Sequence, residues 1–337
     1  VLVLVEGIPG SGKSSTAHAL QIAFERRGIP VRWWYEEEQD HPVYCFHDLA
    51  SLRQVVADLT AGRHEQVIAA ALAQWEQFAA GLAAAKSVTI LDGCFFGYLT
   101  WSLFPLDLPE ERILTYLARV EQVLQSTDPK LIYLRKSDLA AAFQEVAAAR
   151  GEQQVDAYIR KATQSTYGQR RGMTGFDGLV RFWTNYQSLL DRAFEHCSFA
   201  KLAVDVVDDN WPAVYRRIND FVALPPEPDL VPALNQFDGF VGRYVQESAN
   251  GALCEIRLQN GQLFVHGLPG LWPRVRLVAK TQGLFYLDAL PFEIHFEADE
   301  AGAVLGVRIE GPDLLGAPSI GGLVFRRAGE QGNQAIG

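Results

Sequence analysis

Sixteen residues at the start of the chain limit its fold more than any other stretch. Val1-Leu2-Val3-Leu4-Val5 is apolar and rich in β-branched side chains, and Gly7-Ile8-Pro9-Gly10-Ser11-Gly12-Lys13-Ser14 follows almost at once. An unbroken apolar run of this kind reads as a strand covered on both faces, as in a parallel sheet. The second segment has the G-x-x-x-x-G-K-S spacing of the Walker A phosphate loop, and a helical pattern opens directly behind it. Glycine lets the backbone curl so that successive N–H groups point at phosphate oxygens. The new helix offers its positive end to the same anion. Lys13 can then reach the β- and γ-phosphates, and the Ser14 hydroxyl can ligate Mg²⁺. Gly7, Gly10, Ser11, Gly12, Lys13, Ser14 and Ser15 are the nucleotide-binding candidates, with ATP and Mg²⁺ as the expected cofactors.

Composition narrows the classes of partner. A net charge of −10 over 337 residues argues against general nucleic-acid binding, which wants a basic surface. Cys45, Cys94, Cys197 and Cys254 are widely spaced and form no CxxC pair. They read as reduced thiols of a cytoplasmic protein, with no zinc site. No run of 18 apolar residues occurs, so no membrane span is expected. The apolar start has no basic leader and passes straight into the phosphate loop, so no signal peptide is expected. The length suggests two domains or one enlarged one.

Further strands are expected at Val31–Tyr35, Ser87–Leu91, Lys130–Leu134 and Lys201–Val207, with helical patterns between them. Asp107-Leu108-Pro109-Glu110 has the D-x-x-E form of a capping box and should open a helix. Polar and basic residues fill the stretch from Gly151 to Gly178. Alternating strands and helices imply a five-stranded parallel α/β sheet over residues 1–223. Leu224-Pro225-Pro226-Glu227-Pro228 then marks a stiff linker, taken as 224–232. From 233 to 328 the helical period gives way to about eight short β-rich runs, with Asn260-Gly261 as a type I′ hairpin turn. A small antiparallel barrel or sandwich is expected there, followed by a frayed tail from Gly329 to Gly337.

Phosphoryl transfer needs a nucleotide cradle, a metal, a carboxylate to orient the acceptor, and positive charge over the transferred group. In parallel α/β sheets ligands sit at the carboxyl ends of strands. Glu36, Glu37 and Glu38 end the second strand and Asp92 ends the third. Either group can supply the base, Glu37 being the first choice within the run, and Asp92 is also a candidate for holding Mg²⁺ through water. Arg150, Arg160, Lys161, Arg170 and Arg171 form a candidate lid, flanked by Gly168, Gly172 and Gly175. Phe95, Phe96, Tyr98 and Trp101 follow Asp92 and suit either acceptor stacking or core packing, Phe96 being the acceptor-side candidate. No NKxD, H-E-x-x-H or G-x-S-x-G motif is present.

Lys13, the Glu36–Glu38 strand end, Asp92 and Asp128-Pro129-Lys130-Leu131-Ile132-Tyr133-Leu134-Arg135 come in the order seen in the thymidylate kinase and deoxynucleoside kinase group. The chain resembles that group over about residues 1–223. The resemblance implies a P-loop kinase core, a lid entered at Arg150-Gly151-Glu152 that brings Arg150 to the nucleotide, and an adenine pocket near Asp208-Asp209-Asn210-Trp211. Two departures are visible. The second strand exits as Tyr-Glu-Glu-Glu, not E-P, and the third as Asp-Gly-Cys, not D-R or E-R. The chain is also similar to uncharacterised bacterial P-loop proteins with Tyr-Glu-Glu-Glu and Gly-Phe-x-Gly-Leu-Val segments. The opening Phe237–Tyr244 of the β-rich part is similar to small β-domains appended to bacterial hydrolases.

The expected activity is an ATP- and Mg²⁺-dependent phosphotransferase acting on a hydroxyl of a small molecule, a nucleoside-like metabolite or an antibiotic. A nucleoside monophosphate kinase and a nucleotide-binding resistance or sensor module without turnover are the alternatives. The β-domain is expected either to stabilise or dimerise the protein, giving a homodimer, or to close over the acceptor.

Overall fold

The computed structural model of this chain describes residues 1–82, 85–206, 210–226, 237–247 and 251–328. These form two compact units, the first within 1–226 and the second within 237–328, with Ala149–Gly151 grouped with the second.

The first unit begins with β1 (Leu2–Gly7), the phosphate loop and α1 (Lys13–Arg26). It continues through β2 (Val31–Trp34), α2 (Leu49–Thr60), α3 (His64–Leu82), β3 (Val88–Asp92), α4 (Thr100–Leu103) and α5 (Glu110–Leu124). Then come β4 (Lys130–Arg135), α6 (Leu139–Arg150), α7 (Glu152–Thr163), α8 (Thr166–Arg170), α9 (Gly175–His196), β5 (Ala200–Asp205) and α10 (Trp211–Phe221). The five strands are parallel in the order β2-β3-β1-β4-β5. Val3, Leu4 and Val5 of β1 and Leu131, Ile132 and Leu134 of β4 are sealed from solvent, as their continuous apolar runs require in a sheet covered on both faces. This order fixes the geography of the site. The loop after β1 has the exits of β2 and β3 on one side and those of β4 and β5 on the other.

One local expectation changes, at Asp107. The polar and basic stretch from Gly151 to Gly178 is largely helical, as α7 and α8. Gly151, at φ 94°, breaks the chain between α6 and α7, and Val155 and Ala162 then bury one face of α7. In α9, Leu179, Phe182, Trp183, Tyr186, Leu189, Leu190 and Ala193 line one buried stripe at helical spacing. Asp107 does not cap α5, whose N-cap is Pro109 with no side-chain bond. Its backbone turns left-handed, at φ 59°, and its carboxylate accepts from Arg170 and Arg171 at 2.8 Å each. A true capping box occurs instead at Asp48 and Ser51, ahead of α2.

The second unit is a closed antiparallel barrel. A short 3₁₀ turn (Asp238–Phe240) leads into β6 (Gly242–Gln246), β7 (Leu253–Gln259), β8 (Gln262–His266) and β9 (Arg274–Thr281). β10 (Leu284–Leu287), β11 (Glu293–Ala298), β12 (Val304–Glu310) and β13 (Val324–Arg327) complete it, and β13 pairs back onto β6. Asn260 and Gly261 both have positive φ, at 51° and 74°, as a type I′ turn demands. Inward side chains fill the interior, among them Tyr244, Ile256, Val265, Phe285, Ile294, Val307 and Phe325, as an eight-stranded barrel allows. Phe264 is only half-buried. The Arg274 guanidinium stands 3.8 Å from its ring centroid. The expected linker beyond residue 226 and the tail from 329 lie outside the described residues.

Candidate active site

The phosphate loop is built as its spacing demands. Gly10 and Gly12 are left-handed, at φ 79° and 87°, a conformation costly for any residue with a Cβ. Space is short as well: a Cβ at Gly10 would lie 3.1 Å from Val146 of α6, and one at Gly12 would collide with the Trp211 indole. Trp211 is the first residue of α10, and Asn210 caps that helix by accepting from the Ala213 N–H at 3.3 Å. The expected adenine loop therefore brings Trp211 against the loop backbone, while Asp208 and Asp209 lie outside the described residues. Ser11 and Ser14 are buried and Ser15 is half-buried. The hydroxyls of Ser11 and Thr16 are buried without a hydrogen-bond partner among the described residues. Such orphaned donors, one in the curled, glycine-walled loop and one in the first turns of α1 behind it, suit phosphate oxygens.

On the β2–β3 side, Lys13 donates to Glu36 Oε1 at 2.7 Å. Gly93, just beyond β3, makes room for this pair: a Cβ there would stand 2.6 Å from Glu36 Oε2 and 2.8 Å from Lys13 Cε. The three glutamates at the exit of β2 diverge. Glu36 meets Lys13. Glu37 is exposed. Glu38 is buried, pairs with Arg32 and accepts from the Tyr35 N–H at 2.9 Å, so it braces the turn.

Asp92 is fully buried at the end of β3, in register with Val5. Sequence reasoning missed its neighbour Glu6, one residue before the loop. Glu6 is fully buried and accepts from the Phe95 N–H at 2.7 Å. Burial pushes its pKa up to about 8, and the Asp92 charge adds to the rise. The signal for it was an acidic residue closing an otherwise apolar strand.

Around Glu36 stands a wall of aromatic and soft groups. Tyr44 donates to the Glu36 carbonyl at 2.7 Å and stacks on His41 and Tyr98, at 4.2 and 4.5 Å between centroids. Cys94 lies 3.4 Å from His41 Nε2. Burial, followed by the charge of Glu6, raises the Cys94 pKa well above the thiol range, so it is no thiolate. Burial, followed by Arg32, lowers the His41 pKa to about 3.

The remaining candidates are dispersed. Phe96 belongs to the core, stacked on Phe95 at 5.0 Å and edge-on to Tyr133 at 5.6 Å. Arg170 and Arg171 are both tied to Asp107. Arg160 is exposed on α7. Arg150 is the last residue of α6, in the short segment grouped with the barrel. Lys161 is exposed as a residue, yet its ammonium is crowded, 3.6 Å from the Trp101 ring centroid. That crowding lowers its pKa to about 7 against the opposing charge of Glu36.

Among the described residues, no three His, Cys, Asp or Glu side chains cluster as a metal site. A magnesium ion would lean on the nucleotide's own phosphates, with Ser14 and Asp92 as the protein groups of suitable chemistry. None of the described helices is long and apolar enough to cross a membrane.

A parallel five-stranded sheet in this order, with a G-x-x-x-x-G-K-S loop between its central strand and first helix, defines a P-loop α/β fold. No protein-family model matches the sequence, and no curated protein does either. Solved structures do align with it. The YorR protein of Bacillus subtilis, in complex with phosphorylated GDP, is 13% identical over 66% of this chain and 96% of its own, with a TM-score of 0.37. Deoxyadenosine kinase from M. mycoides with bound dATP is 15% identical over 65% of this chain and 100% of its own, with a TM-score of 0.34. The assignment of the fold rests on the chain's own sheet order and phosphate loop.

Proposed function

We propose that the protein is a P-loop phosphotransferase that moves the γ-phosphoryl group of a Mg²⁺-bound nucleotide, ATP, to a hydroxyl of a small molecule. The observation that carries this reading is the 2.7 Å contact between Lys13 Nζ and Glu36 Oε1 at the mouth of the loop. A phosphate-loop lysine and a half-buried carboxylate side by side are what an in-line transfer to a hydroxyl needs. One neutralises the transferred group and the other orients and deprotonates the acceptor.

Glu36 replaces Glu37 as the first choice for the base, because it is Glu36 that meets the phosphate-loop lysine, at 2.7 Å, while Glu37 is an exposed residue. Asp92 is left to hold magnesium through water. Glu6, with its raised pKa, keeps a proton near neutrality and spares the site one negative charge. Trp211 and Asn210 flank the base of the nucleotide on the β4–β5 side, where the Trp211 ring already lies on the loop. The aromatic wall beside Glu36 takes the acceptor.

The test is a screen of hydroxyl-bearing acceptors for acceptor-dependent ATP consumption, run in parallel on Lys13→Ala. Turnover with at least one acceptor, lost in the variant, is the expected result. Nucleotide binding with no turnover on any acceptor would favour a binding module.

A further inference from the structure

Three consecutive glutamates leave β2, and Glu36 is the one that meets the phosphate-loop lysine. Identical side chains give the turn no chemical means of choosing among them, so the anchoring of the backbone makes the choice. The Tyr44 hydroxyl donates to the Glu36 carbonyl at 2.7 Å. Glu36 lies beyond Trp34, the last residue of β2, so no sheet ladder fixes its peptide. Among the described residues Tyr44 is the only hydrogen-bond donor to that carbonyl. Two other bonds shape the turn from within. The Glu38 N–H donates to the Tyr35 carbonyl at 3.0 Å, and the Tyr35 N–H donates to the Glu38 carboxylate at 2.9 Å. Neither involves Glu36.

Tyr44 is itself held fast. Its ring is buried and stacks with His41 and Tyr98, at 4.2 and 4.5 Å between centroids. Tyr98 belongs to the segment after β3, and its hydroxyl accepts from the Cys45 N–H at 2.8 Å. Cys94 Sγ lies 3.7 Å from the Tyr44 hydroxyl and 3.4 Å from His41 Nε2. The chain after β2 is thus pinned to the chain after β3 beside Gly93, whose missing Cβ leaves space for the Lys13–Glu36 pair. A base must be held to a fraction of an ångström to take a proton in line, and a glutamate on an unanchored turn is free to spread over many rotamers. We infer that Tyr44 is a positioning residue of the site: its hydroxyl fixes the Glu36 peptide and so keeps the Glu36 carboxylate on Lys13. The inference rests on the phosphotransferase reading, in which Glu36 is the base. Tyr44 touches no reacting atom in it and acts only through Glu36.

The experiment is a double-mutant cycle on the full chain: wild type, Tyr44→Phe, Glu36→Gln and the double variant, each titrated with fluorescently labelled ATP in the presence of Mg²⁺. Phenylalanine keeps the ring stack and removes only the hydroxyl. With the carboxylate loosened from Lys13, Tyr44→Phe should bind Mg²⁺–ATP roughly threefold more tightly, as the loss of part of one hydrogen bond's net worth predicts. Added to Glu36→Gln, the same change should have no effect, because no charge remains to be placed. An acceptor found in the screen gives a second readout, a roughly tenfold lower kcat for Tyr44→Phe and no further loss when it is added to Glu36→Gln. A merely structural role for Tyr44 predicts no coupling between the two sites. An equal change of ATP affinity in both backgrounds, or none in either, therefore overturns the inference. ATP affinity unmoved by Glu36→Gln itself, or no ATP binding by the wild type, would instead bring down the phosphotransferase reading and this inference with it.

Discussion

Glu36→Gln should have opposite effects on nucleotide affinity and on turnover. Lys13 donates to Glu36 at 2.7 Å, with the two side chains 11% and 29% exposed. At an effective dielectric constant of about 20, two unit charges at that distance attract by ~6 kcal/mol before any loss of hydration is counted. The net value of a charge-assisted hydrogen bond is about 1.5–3 kcal/mol. Nucleotide binding must draw on that sum, because Lys13 has to share or surrender its carboxylate to reach a phosphate. The carboxylate also repels the phosphate directly. Glutamine keeps an acceptor for Lys13 but removes the charge. If about half of the net interaction is relieved, Mg²⁺–ATP should bind roughly tenfold more tightly. Turnover should fall roughly a hundredfold or more, because the acceptor loses its base. Fluorescence titration with a labelled ATP reads the first change and needs no acceptor. Unchanged or weaker ATP binding by folded Glu36→Gln would refute the view that the pair stands at the nucleotide's reacting end.

Lys13→Ala should lose several kcal/mol of transition-state stabilisation, so turnover in a coupled ATP-consumption assay should drop roughly a hundredfold or more. Trp211→Ala should weaken nucleotide binding roughly tenfold by calorimetry, the worth of one aromatic stack on a base, with little effect on acceptor KM. His41, held near pKa 3 by burial, gives a pH signature. A depressed folded-state pKa contributes stability above the ordinary value of about 6.5, and that stability is lost as pH falls toward 3. At pH 4.5 the loss should reach ~2–3 kcal/mol, so denaturant unfolding at pH 7 and pH 4.5 should show His41→Gln to be the less acid-sensitive protein. Equal acid sensitivity would mean that His41 gains access to water.

What was legible in the sequence divides along physical lines. The phosphate loop was readable because its chemistry is local: glycine, lysine and serine at fixed spacing form the cradle by themselves. The Asn260-Gly261 hairpin was readable for the same reason, since two adjacent positive φ angles select those residues. The three glutamates were not separable. A turn sends Glu36, Glu37 and Glu38 to three different environments, and only the backbone path decides which one meets Lys13. Asp107 looked like a helix cap because its spacing fits, but two arginines some sixty residues away compete for it. Lys161 was indistinguishable from its basic neighbours. Its character comes from Trp101 and Glu36, both distant in sequence.

The closure of the barrel has a consequence for how this unit can be rearranged. β6 and β13 are its first and last strands, yet they are hydrogen-bonded neighbours, with Tyr244 opposite Arg327. The ends of the domain therefore leave from one place on its wall, as a module needs if it is to be cut from one chain and grafted onto another. The same seam closes the ladder, so no strand edge is offered to a foreign strand. A circular permutant that joins residues 328 and 237 by a short linker and opens at the Asn260-Gly261 turn should retain every strand pairing except the continuity of that hairpin.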